Sequence, residues 1–258
     1  MTLPVIEDEF EDVLGKAMRG LALGVAELAA SAGVSTEGCE ALLAGRFDDS
    51  NARAVAGVLG LNPRCLVELS EAPTSPGVAL TEGIQSHNSP FPVPGYEAMT
   101  VNSYALLPPG ESNGGIFIDA GSRFESVLAR EQVRDWYLLL THTHADHVVH
   151  FEALSRIAAR AFTPAAEPYA DALPIREGET LDCGSWRIRA IGTPGHSPGG
   201  TSYLLEGTPV PVVFVGDALF CYSIGKVSKG YARALAAIRE KILGLPGETI
   251  LCPGHGPP

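Results

Sequence analysis

Residues 141–147 read Thr-His-Thr-His-Ala-Asp-His, directly after an apolar run at 136–140. Four strong ligands for divalent metals, His142, His144, Asp146 and His147, thus fall within six positions. So many polar rings at the end of a buried segment cost free energy unless something pairs them. A metal ion does so, because imidazole nitrogen and carboxylate oxygen are the donor set of zinc and related ions. Three further apolar runs end in the same way. The run at 186–191 leads into Gly192-Thr193-Pro194-Gly195-His196, that at 211–215 into Gly216-Asp217, and that at 249–252 into Pro253-Gly254-His255-Gly256. These three stop at Gly or Pro, and the pattern predicts four strands that each deliver His or Asp on loops at one end of a rigid sheet.

In order, the motifs H-x-H-x-D-H, T-P-G-H-S-P-G, G-D-A-L-F and P-G-H-G resemble those of the metallo-β-lactamase-fold hydrolases, in particular the glyoxalase II-like branch. The resemblance covers roughly residues 90–258 and takes in Val101-Asn102-Ser103-Tyr104 and the segment 116–121 as the first two strands. It implies an α/β (α+β) fold, an αββα sandwich with two sheets face to face, helices outside and metals at one edge. Carried over motif by motif, it implies a first metal on His142, His144 and His196. A second falls to Asp146, His147 and His255, with Asp217 bridging the two and Asp146 and Asp217 as the catalytic carboxylates.

β-Lactamases of this fold usually place Cys where Asp217 stands, and the nearest cysteine here is Cys221, four positions on. That difference points to an oxygen-bridged, binuclear hydrolase. The expected cofactors are two divalent metal ions, zinc by default, with iron or manganese also suited to such ligands. Metals of this kind lower the pKa of a bound water to about 7. The expected activity is hydrolysis of an ester, thioester or related acyl bond in a small-molecule substrate. Glyoxalase II itself adds a glutathione-binding helical domain after the last metal histidine. No such segment follows His255 in this sequence, so the resemblance carries the chemistry further than the substrate. Lactone or β-lactam hydrolysis, phosphodiester hydrolysis, persulfide dioxygenation by one iron on His142, His196 and Asp217, and ligand sensing by a transcriptional regulator stay open. His150 reads as an outer or surface residue beside the cluster, His87 as solvated, and Cys221 and Tyr222 as loop residues near the pocket.

The elements that must carry this cluster occupy residues 96–258, and a different texture precedes them. Residues 1–72 are rich in Ala and Leu with helical spacing. Leu14, Ala17, Met18 and Leu21 fit a first helix, and Val25, Leu28 and Ala29 a second. Ser35 suits the N-cap of a third that holds Cys39, Leu42 and Leu43. Val55, Val58 and Leu59 fit a fourth, stopped by Gly60, and Leu66 and Leu69 a fifth. The segment 27–35, with Gly33 in the turn, resembles the helix-turn-helix of the Cro/C1 (XRE-like) family. A base-reading helix needs Arg, Lys, Gln or Asn at its exposed positions, whereas this one offers Thr36, Glu37, Gly38, Glu40 and Ala41. Residues 1–75 hold 12 Asp and Glu against 5 Lys and Arg, a net of −7 that opposes phosphate contacts. The unit is therefore expected not to bind DNA but to cover the active site or to form a homodimer. Residues 73–95, with Pro73, Pro76, Pro90, Pro92 and Pro94, read as a Pro-rich linker whose second half packs on the hydrolase part.

The bulk properties agree with such an enzyme. A chain of 258 residues allows one large or two modest domains, and 45% hydrophobic content supplies a sizeable core. No run of 18 apolar residues offers a membrane span. The acidic start argues against a signal peptide, and five cysteines without a C-x-x-C pair suit a reducing cytoplasm. The net charge of −12 disfavours both nucleic acid and anionic membrane.

Overall fold

The computed structural model describes residues 6–72, 75, 77–95, 99–110, 114–129 and 135–258. The first of these build five helices, α1 (Phe10–Leu21), α2 (Val25–Ala32), α3 (Thr36–Leu43), α4 (Asp49–Leu59) and α5 (Pro63–Ser70). Helix α1 buries Phe10, Val13, Leu14, Ala17 and Met18, the i, i+3, i+4 stripe of an amphipathic helix. The ends carry the expected signals. Gly38 N–H donates to Ser35 Oγ at 3.0 Å, Asn51 N–H to Asp48 Oδ1 at 2.8 Å, and Gly60 closes α4 in the left-handed region. The five helices share one apolar cluster of their own.

Two sheets follow. The first runs β1 (Ile84–Pro90), β2 (Thr100–Leu106), β3 (Gly114–Ile118), β4 (Asp135–Leu139), β5 (Arg160–Pro164) and β6 (Leu173–Ile175) in chain order. The second comprises β7 (Thr180–Cys183), β8 (Trp186–Gly192), β9 (Thr201–Glu206), β10 (Val212–Gly216) and β13 (Ile250–Pro253), in the order β13-β10-β9-β8-β7. A hairpin of β11 (Leu219–Phe220) and β12 (Ser223–Ile224) stands apart.

The two-residue period of the strands divides each sheet's side chains between two layers. Tyr104, Ile116, Ile118 and Leu139 of the first sheet meet Ile188, Tyr203, Leu205, Val212 and Phe214 of the second in one core. Their sequence neighbours Phe117, Leu138 and Leu140 face the other way, under Val127, Val148, Phe151 and Leu154. Those four come from α6 (Glu125–Leu128), α7 (Ala145–Val148) and α8 (Phe151–Ser155). On the far side, Leu204, Val213 and Val215 pack against Ile242, which belongs to a π-helical turn (Ile238–Ile242) continuing α9 (Tyr231–Ala237). The architecture is the expected αββα sandwich, with the helical unit before it.

One expectation is corrected. Within the stretch read as a 73–95 linker, residues 84–90 form β1 and pair antiparallel with β2 in register, Ile84 opposite Leu106 and Pro90 opposite Thr100. Proline misled the reading: an edge strand tolerates it at its end, and Ile84 alone is buried while most of its neighbours face outward. His87, read as solvated, lies in this strand with its ring 4.7 Å from that of Phe124. Pro73 and Pro76 lie outside the described residues.

The helical unit rests on the second half of the sandwich. Lys16 Nζ donates to Ser223 Oγ at 3.5 Å, and Tyr222 Oη to Glu68 Oε2 at 3.4 Å. A Cβ at Gly20 would lie 2.3 Å from the Tyr231 ring, so α1 approaches α9 as closely as a bare backbone allows. Among the described residues, no helix is long and apolar enough to cross a membrane.

Candidate metal centre

Parallel strands bring the four motifs to one rim. β3, β4 and β5 run parallel, as do β10 and β13, so the loops after β4, β10 and β13 emerge at like ends. The loop after β4 carries His142 and His144 and enters α7, which holds Asp146 and His147. β8 leads to His196, β10 to Asp217 and β13 to His255.

The side chains gather into two sets. His142, His144, His196 and Asp217 offer ligand atoms all within 4.8 Å of one another, as do Asp146, His147 and His255. In the first set, His144 Nδ1 lies 3.1 Å from His142 Nε2 and 2.7 Å from His196 Nε2. In the second, Asp146 Oδ2 lies 3.3 Å from His147 Nε2 and 3.2 Å from His255 Nε2. Asp217 faces both: Oδ1 is 3.3 Å from His147 Nε2, while Oδ2 is 3.3 Å from His196 Nε2 and 3.4 Å from His255 Nε2. A tetrahedral zinc with donors about 2.1 Å away sets them about 3.4 Å apart, the spacing seen here.

Hydrogen bonding fixes which ring nitrogens are left. His147 Nδ1 is 2.8 Å from Asp119 Oδ2 and His255 Nδ1 is 2.6 Å from the Thr100 carbonyl, so each donates from Nδ1 and turns the lone pair of Nε2 inward. The Thr141 hydroxyl donates to Asp119 Oδ2 at 2.8 Å and stands 3.0 Å from His142 Nδ1. His147 Nε2 and Asp217 Oδ1 are buried without a hydrogen-bond partner. Lone pairs directed at carboxylate oxygens in a buried space repel unless a cation lies between them. The glycine after β13 serves the same end: a Cβ at Gly254 would come 2.3 Å from Asp217 Oδ1. The residues therefore fit divalent metal ions.

The surrounding carboxylates draw positive charge, a proton or a metal ion, to the inner rings. Burial opposes charge on His147, yet Asp119 and Asp217 outweigh it and hold the ring well above the usual imidazole pKa. His255 is likewise disfavoured by burial but raised to about 10 by Asp217 and Asp146. Burial, then the neighbouring His147, push His142 well below the ordinary value, and burial lowers His196. Burial works against the charge of Asp217, but His147 and His255 keep it well below the carboxylate range. The second set thus draws positive charge inward.

All seven sequence-derived site residues, His142, His144, Asp146, His147, His196, Asp217 and His255, come together. His150 stays outside both sets, its Nδ1 3.5 Å from Arg123 Nε. Two residues were missed. Asp119, which ends β3, accepts from the Thr141 backbone N–H at 2.7 Å as well as from the Thr141 hydroxyl and His147. Its φ of +60° lies in the left-handed region, and these bonds hold it there. The signal was present, since an apolar run ending in Asp119-Ala120-Gly121 repeats the pattern of the other four. Glu167 accepts from Thr143 N–H at 3.1 Å, from its hydroxyl at 3.0 Å and from Gly199 N–H at 2.5 Å. It fastens the His142–His144 loop to the His196 loop, and nothing in the sequence marks it.

Residues 148–255 match the profile described as "Metallo-beta-lactamase superfamily"; the match includes His196, Asp217 and His255 and begins one residue after His147. The hydroxyacylglutathione hydrolase of Brucella ovis is 34% identical over 146 residues, 54% of this chain and 55% of its own. That of Brucella abortus aligns equally. The chain thus spans about half the length of these relatives. Among solved structures, the B3 metallo-β-lactamase BLEG-1 superposes with a TM-score of 0.53 at 27% identity, over 67% of this chain and 92% of its own. ETHE1 from Myxococcus xanthus gives 0.51 at 23% identity, over 60% and 70%. The sandwich has the metallo-β-lactamase fold.

Proposed function

We propose that this chain is a binuclear metal-dependent hydrolase of a small-molecule ester, thioester or related acyl bond. The observation that carries the reading is Asp217, whose carboxylate reaches both sets: Oδ1 lies 3.3 Å from His147, and Oδ2 lies 3.3 Å from His196 and 3.4 Å from His255. Divalent ions, zinc suiting these donors best, supply Lewis acidity and make water nucleophilic near neutral pH. His142, His144 and His196 would hold one ion and Asp146, His147 and His255 the other, with Asp217 within reach of both sets. Asp146 and Asp217 stay ionised. As anions they would serve as metal ligands and accept, not donate, hydrogen bonds. Asp119 fixes His147 and, through Thr141, His142, which is how an outer carboxylate orients a ligand ring.

His144 is the exposed member of the two sets, whereas Asp146, His147 and His255 are all buried. Likeness to hydroxyacylglutathione hydrolases favours an acyl bond. The test joins metal analysis to a panel of thioester, ester, lactone, β-lactam and phosphodiester substrates. Asp217→Ala should lose most of both ions together with turnover. Stoichiometric metal in that variant would remove the bridging role.

A further inference from the structure

A cavity of about 230 Å³ lies between the helical unit and the sandwich. Val13, Lys16 and Ala17 of α1 form one wall; Phe220 and Ile224 of the hairpin and Leu235 of α9 form much of the other. Its chemistry is uncharged as a whole. Lys16 is the one formal charge on its lining, and the buried Asp8 neutralises it. The ammonium also lies 5.1 Å from the centroid of the Phe220 ring, which occupies it further. No free cation is left among the lining residues to attract a carboxylate or phosphate.

The position of Phe220 gives this cavity a meaning. The same ring that receives Lys16 has its centroid 5.7 Å from that of His255. The Phe220 ring thus lines the cavity and lies beside His255 of the candidate centre. The segment that carries it starts two residues after Asp217, so the hairpin is tied to the bridging carboxylate at its root. Pockets that take a whole drug-sized ligand run from about 300 to 1,000 Å³. A space of 230 Å³ suits part of a substrate instead.

We propose that this cavity receives the uncharged, apolar end of the acyl group whose carbonyl is hydrolysed at the Asp217 centre, which makes the N-terminal helical unit the element that selects the substrate. The inference rests on the hydrolase reading above. A second cavity, of about 400 Å³, shares Leu219 and Phe220 but is otherwise lined by residues such as Cys221, Leu251 and Pro253, none from the helical unit. It provides the internal comparison.

The experiment uses the full chain and fills the cavity from each wall separately, with Ala17→Leu and Leu235→Phe, folding being checked by thermal melting. Selectivity is read as the ratio of kcat/KM for p-nitrophenyl hexanoate over p-nitrophenyl acetate. Each variant should lower that ratio about tenfold or more, the scale on which a hydrophobic pocket senses added methylenes. In parallel, ligand-observed NMR follows binding of hexanamide, an uncharged probe that needs no turnover; both variants should abolish it. If no ester is cleaved yet hexanamide binds and is lost in both variants, the cavity assignment stands and the hydrolase reading falls. Equal binding by the parent and both variants overturns the proposal. So does a selectivity ratio moved by Leu251→Phe and untouched by Ala17→Leu and Leu235→Phe.

Discussion

Asp119 shows how much of the centre depends on a residue that touches no ligand site directly. It accepts from Thr141 twice and from His147 once, all buried. Asp119→Asn keeps the shape but turns an amide N–H₂ toward at least one of these donors, and a buried donor left unmet costs about 1–3 kcal/mol. Loss of an outer carboxylate behind a ligand histidine lowers metal affinity by about 10–100-fold. Asp119→Asn should therefore bind zinc more weakly by that factor while keeping its fold, measured by competition with a chelator. An unchanged zinc affinity would detach Asp119 from the centre. The sequence displayed every residue of the two sets, because metal chemistry restricts residue types tightly and the motifs cluster at strand ends. Asp119 carried the same strand-end signal, but a single carboxylate after a strand is common and its role depends on which loops lie opposite, so it was not assigned to the site.

At the scale of elements, legibility followed the same divide. Helices α1 to α5 were readable from apolar spacing, Ser35 and Gly60, all local signals. The four ligand-bearing strands were readable as apolar runs leading into His or Asp, three of them through Gly or Pro. β1 was not, since an edge strand with one buried side chain leaves almost no periodic trace. Glu167 was invisible for a related reason: it works between two loops, over contacts 24 and 32 residues away in sequence. In Glu167→Gln, one of the donors Thr143 N–H, Thr143 O–H and Gly199 N–H must face an amide N–H₂. The His142–His144 loop should then loosen from the His196 loop, lowering the melting temperature by the equivalent of about 1–3 kcal/mol. Hydrogen exchange at Thr143 and Gly199 should rise selectively, and protection equal to that of the parent would show that the carboxylate is dispensable.

For the whole molecule, the placement of charge decides what the helical unit does. Glu37 and Glu40 are exposed on α3, the helix that would have to enter a DNA groove. With a net of −7 over residues 1–75, no release of counterions offsets their repulsion from phosphate. The protein should show no retention of duplex DNA in a mobility-shift assay, even at low salt; retention at physiological salt would restore the regulator reading. Instead, α1 lies on α9, and α9 in turn lies on the loop of His196, where a Cβ at Gly195 would stand 2.5 Å from the Ala234 Cβ. Helix α9 is thus a strut in hard contact with two elements, meeting Gly20 through Tyr231 and Gly195 through Ala234 one turn on. A close-packed interior transmits displacement instead of absorbing it. A single methyl at position 20, far from any donor atom, has to push Tyr231 aside or shift the strut toward His196. Gly20→Ala should lower zinc affinity of the first set as well as the melting temperature, although its own position belongs to a surface helix. In a scan of every position, tolerance would then map a line of thrust through the molecule, with Gly20 as intolerant as a ligand.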